Sequence, residues 1–178
     1  MILIVMGVSG AGKSTVGRRL ASRLGWEFHD GDDFHPPANV TKMRSGTPLT
    51  DDDRRPWLLA IQHRMREIEA AGRSAIFACS ALKETHRSLL LHGESWVRFV
   101  HLHGSRELLA QRLGSRQGHF MPPALLDSQL ATLEPPTDAL RVDVGPEPEV
   151  LVSQIVERLG ISPGTPNPPS RDPAPPRS

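Results

Sequence analysis

At 178 residues the chain has the length of one ordinary domain and can bury a proper core. Its 21 basic and 20 acidic side chains leave a formal charge of +1, which excludes the electrostatic footprint of a nucleic-acid binder. A single cysteine, Cys79, excludes an internal disulfide framework and fits a reducing compartment.

The apolar run at 2–6 is short and rich in branched residues, as in a buried parallel strand. It is too short for a signal-peptide core or a membrane span, and no other stretch approaches 18 apolar residues. The expected location is the cytoplasm, with no membrane partner. Next comes Gly7-Val8-Ser9-Gly10-Ala11-Gly12-Lys13-Ser14, then a helical spacing of Val16, Leu20 and Leu24 that stops at Gly25. Residues 26–29 form a second strand, which delivers the acids Asp30, Asp32 and Asp33.

Residues 35–56 are polar and turn-rich, with a short helix over 38–44. Thr50, followed by Asp51, Asp52 and Asp53, starts a longer helix that ends at Gly72, and Pro56 predicts a bend or restart within it. Strands follow at 74–79 and 96–102, with a helix over 82–91 between them. Ser105 caps a helix to about residue 113. Beyond a basic excursion at 114–123 come a helix at 125–133, a fifth strand at 140–144 and an amphipathic helix at 149–159. This alternation predicts a five-stranded parallel sheet between two helical layers, an α/β/α sandwich. Residues 162–178 hold seven of the 17 prolines and are expected to form a disordered tail outside a domain spanning 1–161.

The segment from Gly7 to Ser14 satisfies G-x-x-x-x-G-K-[ST] at every defined position, between a strand and a helix as that motif requires. Glycines let the backbone N–H groups of Gly7, Ser9, Gly10, Ala11 and Gly12 approach phosphates, and the helix N-terminus faces the same anion. Lys13 places a point charge on the β- and γ-phosphates, Ser14 can bind Mg²⁺, and Thr15 continues the cradle. The motif therefore predicts a nucleoside triphosphate with magnesium, and the kinase resemblance given below implies that it is ATP. Only three of the 21 basic residues are lysine, at 13, 42 and 83. Codon bias toward arginine is the plain explanation. Under it, a lysine that persists points to a need for a compact ammonium.

No Asn-Lys-x-Asp string is present for reading guanine, and the third strand ends Ala78-Cys79-Ser80 without a Walker-B acid. The acids stand instead after the second strand, at Asp30 and Asp32, an arrangement resembling small-metabolite and nucleotide kinases. That resemblance implies Asp30 orienting Mg²⁺ through water and Asp32 holding the acceptor hydroxyl. Arg112-Leu113-Gly114-Ser115-Arg116-Gln117-Gly118-His119 resembles the start of the mobile lid of nucleoside-monophosphate kinases, over about 113–123. There Arg112 would stack on adenine and Arg116 would reach the transferring phosphoryl group.

Longer strings narrow the resemblance. Asp30-Gly31-Asp32-Asp33-Phe34-His35-Pro36-Pro37-Ala38-Asn39, Lys42-Met43, Gly46-Thr47-Pro48-Leu49-Thr50-Asp51 and Asp53-Arg54 are similar to the gluconokinase family. So are Cys79-Ser80-Ala81-Leu82-Lys83, Gly118-His119-Phe120-Met121-Pro122 and Ser128-Gln129-Leu130-Ala131-Thr132-Leu133-Glu134, so the likeness covers roughly 1–160. It implies ATP-dependent 6-phosphorylation of D-gluconate, with Lys13, Asp32 and Arg116 catalytic, and a homodimer. Asp32, His35, Lys42, Met43, Arg54, Lys83, His119 and Gln129 would contact the acceptor, with Lys42, Arg54 and Lys83 competing for its carboxylate. Trp57 and Met43 read more simply as buried packing. After Lys83 the family often continues with a tyrosine and a further arginine, where this chain offers His86 and Ser88-Leu89-Leu90-Leu91. A shikimate-type or nucleotide acceptor, and a nucleotide-binding regulator without transfer, stay open beside gluconate.

Overall fold

The computed structural model describes residues 1–91, 93–115 and 123–163. The expected tail from residue 164 onward and most of the expected lid, including Arg116 and His119, lie outside the described residues. Strands β1 (Ile2–Met6), β2 (Glu27–Asp30), β3 (Ala75–Ala78), β4 (Val97–His103) and β5 (Leu140–Asp143) form one sheet in the order β2-β3-β1-β4-β5. Every pairing is parallel. The helices are α1 (Lys13–Leu24), α2 (Pro37–Arg44), α3 (Asp51–Ala70), α4 (Glu84–Leu91), α5 (Arg106–Gly114), α6 (Pro123–Thr132) and α7 (Pro148–Leu159).

Alternation along β1 divides the core. Ile2, Ile4 and Met6 join Leu58, Ile61, Met65 and Ile68 of α3 on one face, together with Phe77 and Phe99. Leu3 and Val5 face the other way, into Val16 and Leu20 of α1 and Leu151, Val152 and Ile155 of α7. All five β1 side chains are fully buried, which is why the strand reads as an unbroken apolar run. The expected three-layer α/β/α sandwich is the observed fold.

Two local expectations need correction. Helix α3 runs unbroken from Asp51 to Ala70 with Pro56 inside it, so no restart occurs. The carbonyl that Pro56 leaves without a helical donor belongs to Asp52, in the exposed first turn, where solvent can reach it. Between β2 and α2 the chain makes a single 3₁₀ turn, Gly31–Phe34, which the polar composition did not reveal. Asp30 caps that turn by accepting from the Asp32 amide at 3.3 Å.

The topology places the site. From β1 the chain crosses to β2, beyond β3, whereas from β3 it crosses to β4, on the far side of β1. Adjacent strands that leave in opposite directions open a crevice at their carboxyl ends. The phosphate-loop motif follows β1 at that crevice, beside Ser80 at the end of β3, whose carbonyl accepts from Gly7 N–H at 3.4 Å.

Candidate active site

The loop's shape depends on its glycines. Gly7 has φ 143°, and a Cβ there would come within 2.5 Å of the Leu102 carbonyl oxygen. Gly12, with φ 84°, turns the chain into α1 as its N-cap, so the helix opens at Lys13 with its N–H groups aimed into the loop. Lys13 Nζ bridges back to the Val8 carbonyl at 3.1 Å. Ser14 Oγ donates to Asp30 Oδ2 at 2.8 Å, joining the start of α1 to the end of β2.

Ser9, Gly10, Ala11, Gly12, Lys13, Ser14 and Thr15 line a cavity of about 570 Å³ together with Asp30, Asp32 and Arg112. Glu147, Pro148 and Leu151, at the start of α7, also line it and had no signal in the sequence. Arg112 is anchored by donation to the Val144 carbonyl at 2.6 Å, beyond β5. The cavity thus combines the cations Lys13 and Arg112 and the loop N–H groups with three carboxylates, those of Asp30, Asp32 and Glu147.

No group of three or more metal-ligating side chains occurs among the described residues. Magnesium does not require one, since it keeps several waters and takes few protein ligands. The Ser14 hydroxyl and the Asp30 carboxylate, hard oxygens already in contact, fit such an ion. Cys79 borders the cavity but is chemically quiet, because burial pushes its thiol up to about 12.

On the acceptor side the structure places the expected cations differently from one another. Lys42 Nζ donates to Asp53 Oδ1 at 2.7 Å and Oδ2 at 2.8 Å. Asp53 also completes a capping box with Thr50, and the Lys42 bond holds its carboxyl at about 2. Lys83 Nζ donates to both carboxylate oxygens of Asp51, at 2.9 and 2.7 Å, which lowers the Asp51 pKa. His86 Nε2 lies 3.4 Å from the same Asp51. Arg54 is half-buried and has no ion-pair partner among the described residues. Two of the three candidate carboxylate ligands are therefore already matched to acids in the first turn of α3.

Other expectations shift. Gln129, expected among the acceptor ligands, accepts from the Ser9 amide at 2.7 Å and so reaches the phosphate loop from α6. Met43 is not buried packing, since it is 43% exposed. Trp57 is buried but does more than pack. Its Nε1–H donates to the Gly31 carbonyl at 2.6 Å, and its ring stacks on His35. Replacing Trp57 with phenylalanine keeps an aromatic ring and leaves the Gly31 carbonyl without its donor. The unfolding free energy should fall by about 1–3 kcal/mol, read as a lower midpoint in urea. An unchanged midpoint would show that this bond contributes nothing.

The apparent departure after Lys83 also looks different in three dimensions. An arginine does stand in that turn: Arg87, which is 7% exposed. Its guanidinium donates to the carbonyls of Ala81 and Leu82, at 3.2 and 3.0 Å, clamping the loop that carries Lys83. In that loop Ala81 adopts φ 43°, a conformation costly for a residue with a Cβ.

A glycine-rich phosphate loop after β1, an acid at the end of β2 and a sheet ordered 2-3-1-4-5 define a P-loop kinase. Comparison with known proteins agrees. The AAA domain family matches residues 2–136. A gluconokinase of Gluconobacter oxydans is 50% identical, covering 88% of this chain and 90% of that one. A solved gluconokinase structure from Sinorhizobium meliloti is 43% identical with a TM-score of 0.77, covering 89% of this chain and 94% of that one. A sugar kinase structure from Janibacter sp. superposes with a TM-score of 0.83 at 44% identity, over 91% and 95% of the two chains. The chain belongs to the gluconokinase family.

Proposed function

We propose that this protein transfers the γ-phosphoryl group of ATP to the 6-hydroxyl of D-gluconate. The observation that carries the reading is one cavity in which the Asp32 carboxylate faces a complete phosphate loop. Such a carboxylate can orient an acceptor hydroxyl and take up its proton as the hydroxyl attacks. The loop N–H groups and Lys13 hold the β- and γ-phosphates and stabilise charge moving onto them. Arg112 offers a flat guanidinium to the adenine. Bound Mg²⁺ would supply charge neutralisation across the phosphate oxygens, held by Ser14 and, through water, by Asp30.

Gluconate is an anionic polyol, and the residues assigned to it combine hydrogen-bonding groups with cations. Arg54 is the strongest candidate for its carboxylate, because Lys42 and Lys83 would first have to leave Asp53 and Asp51. Arg116 and His119 belong to this reading by family resemblance, as the catalytic arginine and an acceptor ligand. A homodimer working in the cytoplasm is the natural setting. Among the described residues no helix is long and apolar enough to cross a membrane.

The test is a coupled ADP-release assay over sugar acids, shikimate and nucleoside monophosphates. Gluconate should give the highest kcat/KM by at least an order of magnitude. Release that is equal with and without every acceptor would defeat the reading.

A further inference from the structure

His35 follows the 3₁₀ turn that bears Asp32, and its ring is held by neighbours on two helices. Trp57 of α3 stacks on it, with centroids 4.2 Å apart and planes 15° from parallel. From α2, Asn39 Nδ2 lies 3.4 Å from His35 Nδ1 and 2.8 Å from the Asp53 carbonyl oxygen. Asn39 is only 3% exposed, so water cannot replace these partners.

The two distances determine where the protons lie. A carbonyl oxygen only accepts, so the end of the Asn39 amide facing Asp53 is the NH₂. The second N–H of that nitrogen then points at His35 Nδ1, which must offer a lone pair. A ring protonated at Nδ1 would bring two donors together, and so would the imidazolium. The neutral ring with its proton on Nε2 is the one form without this conflict. We infer that Asn39 is a positioning residue that locks His35 as the neutral Nε2–H tautomer, so that the ring presents a single N–H donor to an oxygen of the acceptor.

His35 is half-buried, and its Nε2 atom has no hydrogen-bond partner among the described residues, so that N–H is open to solvent or to a ligand. The charged groups that face the ring oppose each other: Asp32 favours protonation and Arg54 of α3 disfavours it. Burial, the largest influence, lowers the ring's pKa, and the Asn39 N–H acts in the same direction. A donor that stays neutral as pH falls keeps acceptor recognition constant, and one fixed tautomer needs no reorganisation on binding. The role toward the acceptor rests on the gluconate reading above. The tautomer itself does not.

The experiment uses the full chain with ¹⁵N-labelled histidine and long-range ¹H–¹⁵N spectra, with the His35 signals identified by their loss in His35→Phe. The ring should show the Nε2–H pattern and stay neutral below the ordinary histidine pKa of about 6.5. Asn39→Asp exchanges the donor for an acceptor. It should move the proton to Nδ1, raise the His35 pKa and make the gluconate KM vary with pH. His35→Phe keeps the stack on Trp57 but loses the donor. It should raise the gluconate KM roughly ten-fold with little change in kcat.

An Nδ1–H or charged ring in the unsubstituted protein at neutral pH overturns the lock without recourse to any variant. An unchanged KM in His35→Phe overturns the role toward the acceptor. Failure of gluconate to drive ADP release from the unsubstituted protein overturns the gluconate reading, while the tautomer result stands.

Discussion

Lys13→Ala should abolish phosphoryl transfer and leave the fold intact. Lys13 is the first residue of α1 and spans the loop to the Val8 carbonyl, so its ammonium lies over the floor of the cavity. In the transition state negative charge moves among the phosphoryl oxygens, and a fixed cation stabilises that state more than the bound substrates. The loss therefore belongs in kcat, by roughly 10³-fold, with the gluconate KM little changed. Stability should hardly move, because Lys13 is only half-buried and its removal opens no cavity in the core. Lys13→Arg should recover little, since a planar fork cannot take the place of a compact ammonium inside the loop. Near-normal turnover in the alanine variant would remove the phosphate loop from the mechanism.

The second large effect separates two acids that are two residues apart. Asp30 closes β2 with Oδ2 on the Ser14 hydroxyl and Oδ1 on the Asp32 amide, beside the oxygen proposed to hold magnesium. Asp32 lies in the 3₁₀ turn beyond the strand, is exposed, and lines the same cavity. Asp32→Asn keeps the size and loses both the charge and the proton affinity. Its kcat with gluconate should fall by roughly 10²–10⁴-fold, the range for a lost general base. The lower end is expected, because a loose phosphoryl transition state asks little of a base. ATP affinity should barely change. Asp30→Asn should instead raise the magnesium concentration needed for half-maximal rate, with the gluconate KM less affected. A magnesium titration of both variants decides the matter: sensitivity in Asp32→Asn without sensitivity in Asp30→Asn would reverse the two roles.

The ion pairs at the start of α3 bear on the proposed binding of the acceptor carboxylate. Asp51 and Asp53 occupy Lys83 and Lys42 as a substrate carboxylate would, and the same two acids lie in the helix's first turn, where negative charge is favoured. A gluconate carboxylate that displaced either would have to compete with a partner already tethered nearby. Arg54, one helical turn beyond Thr50, escapes that competition.

What the sequence determined by itself was whatever depends on neighbours along the chain. The phosphate loop was legible because its shape follows from glycines that admit φ values near 84° and 143° and from the helix that begins one residue later. The parallel sheet was legible because β1 is apolar on both faces, and the start of α3 because Thr50 is followed by three acids, which a helix N-terminus favours. Tertiary structure decided what depends on residues far apart in the chain. Gln129 meets Ser9 across 120 positions, Lys83 meets Asp51 across 32, and Trp57 meets Gly31 across 26. A list of plausible acceptor ligands could not show that two of its cations were already paired, or that Asn39 and Trp57 hold the ring of His35. Periodicity reports which face of an element is buried. It carries no information about which side chain waits on the element packed against it.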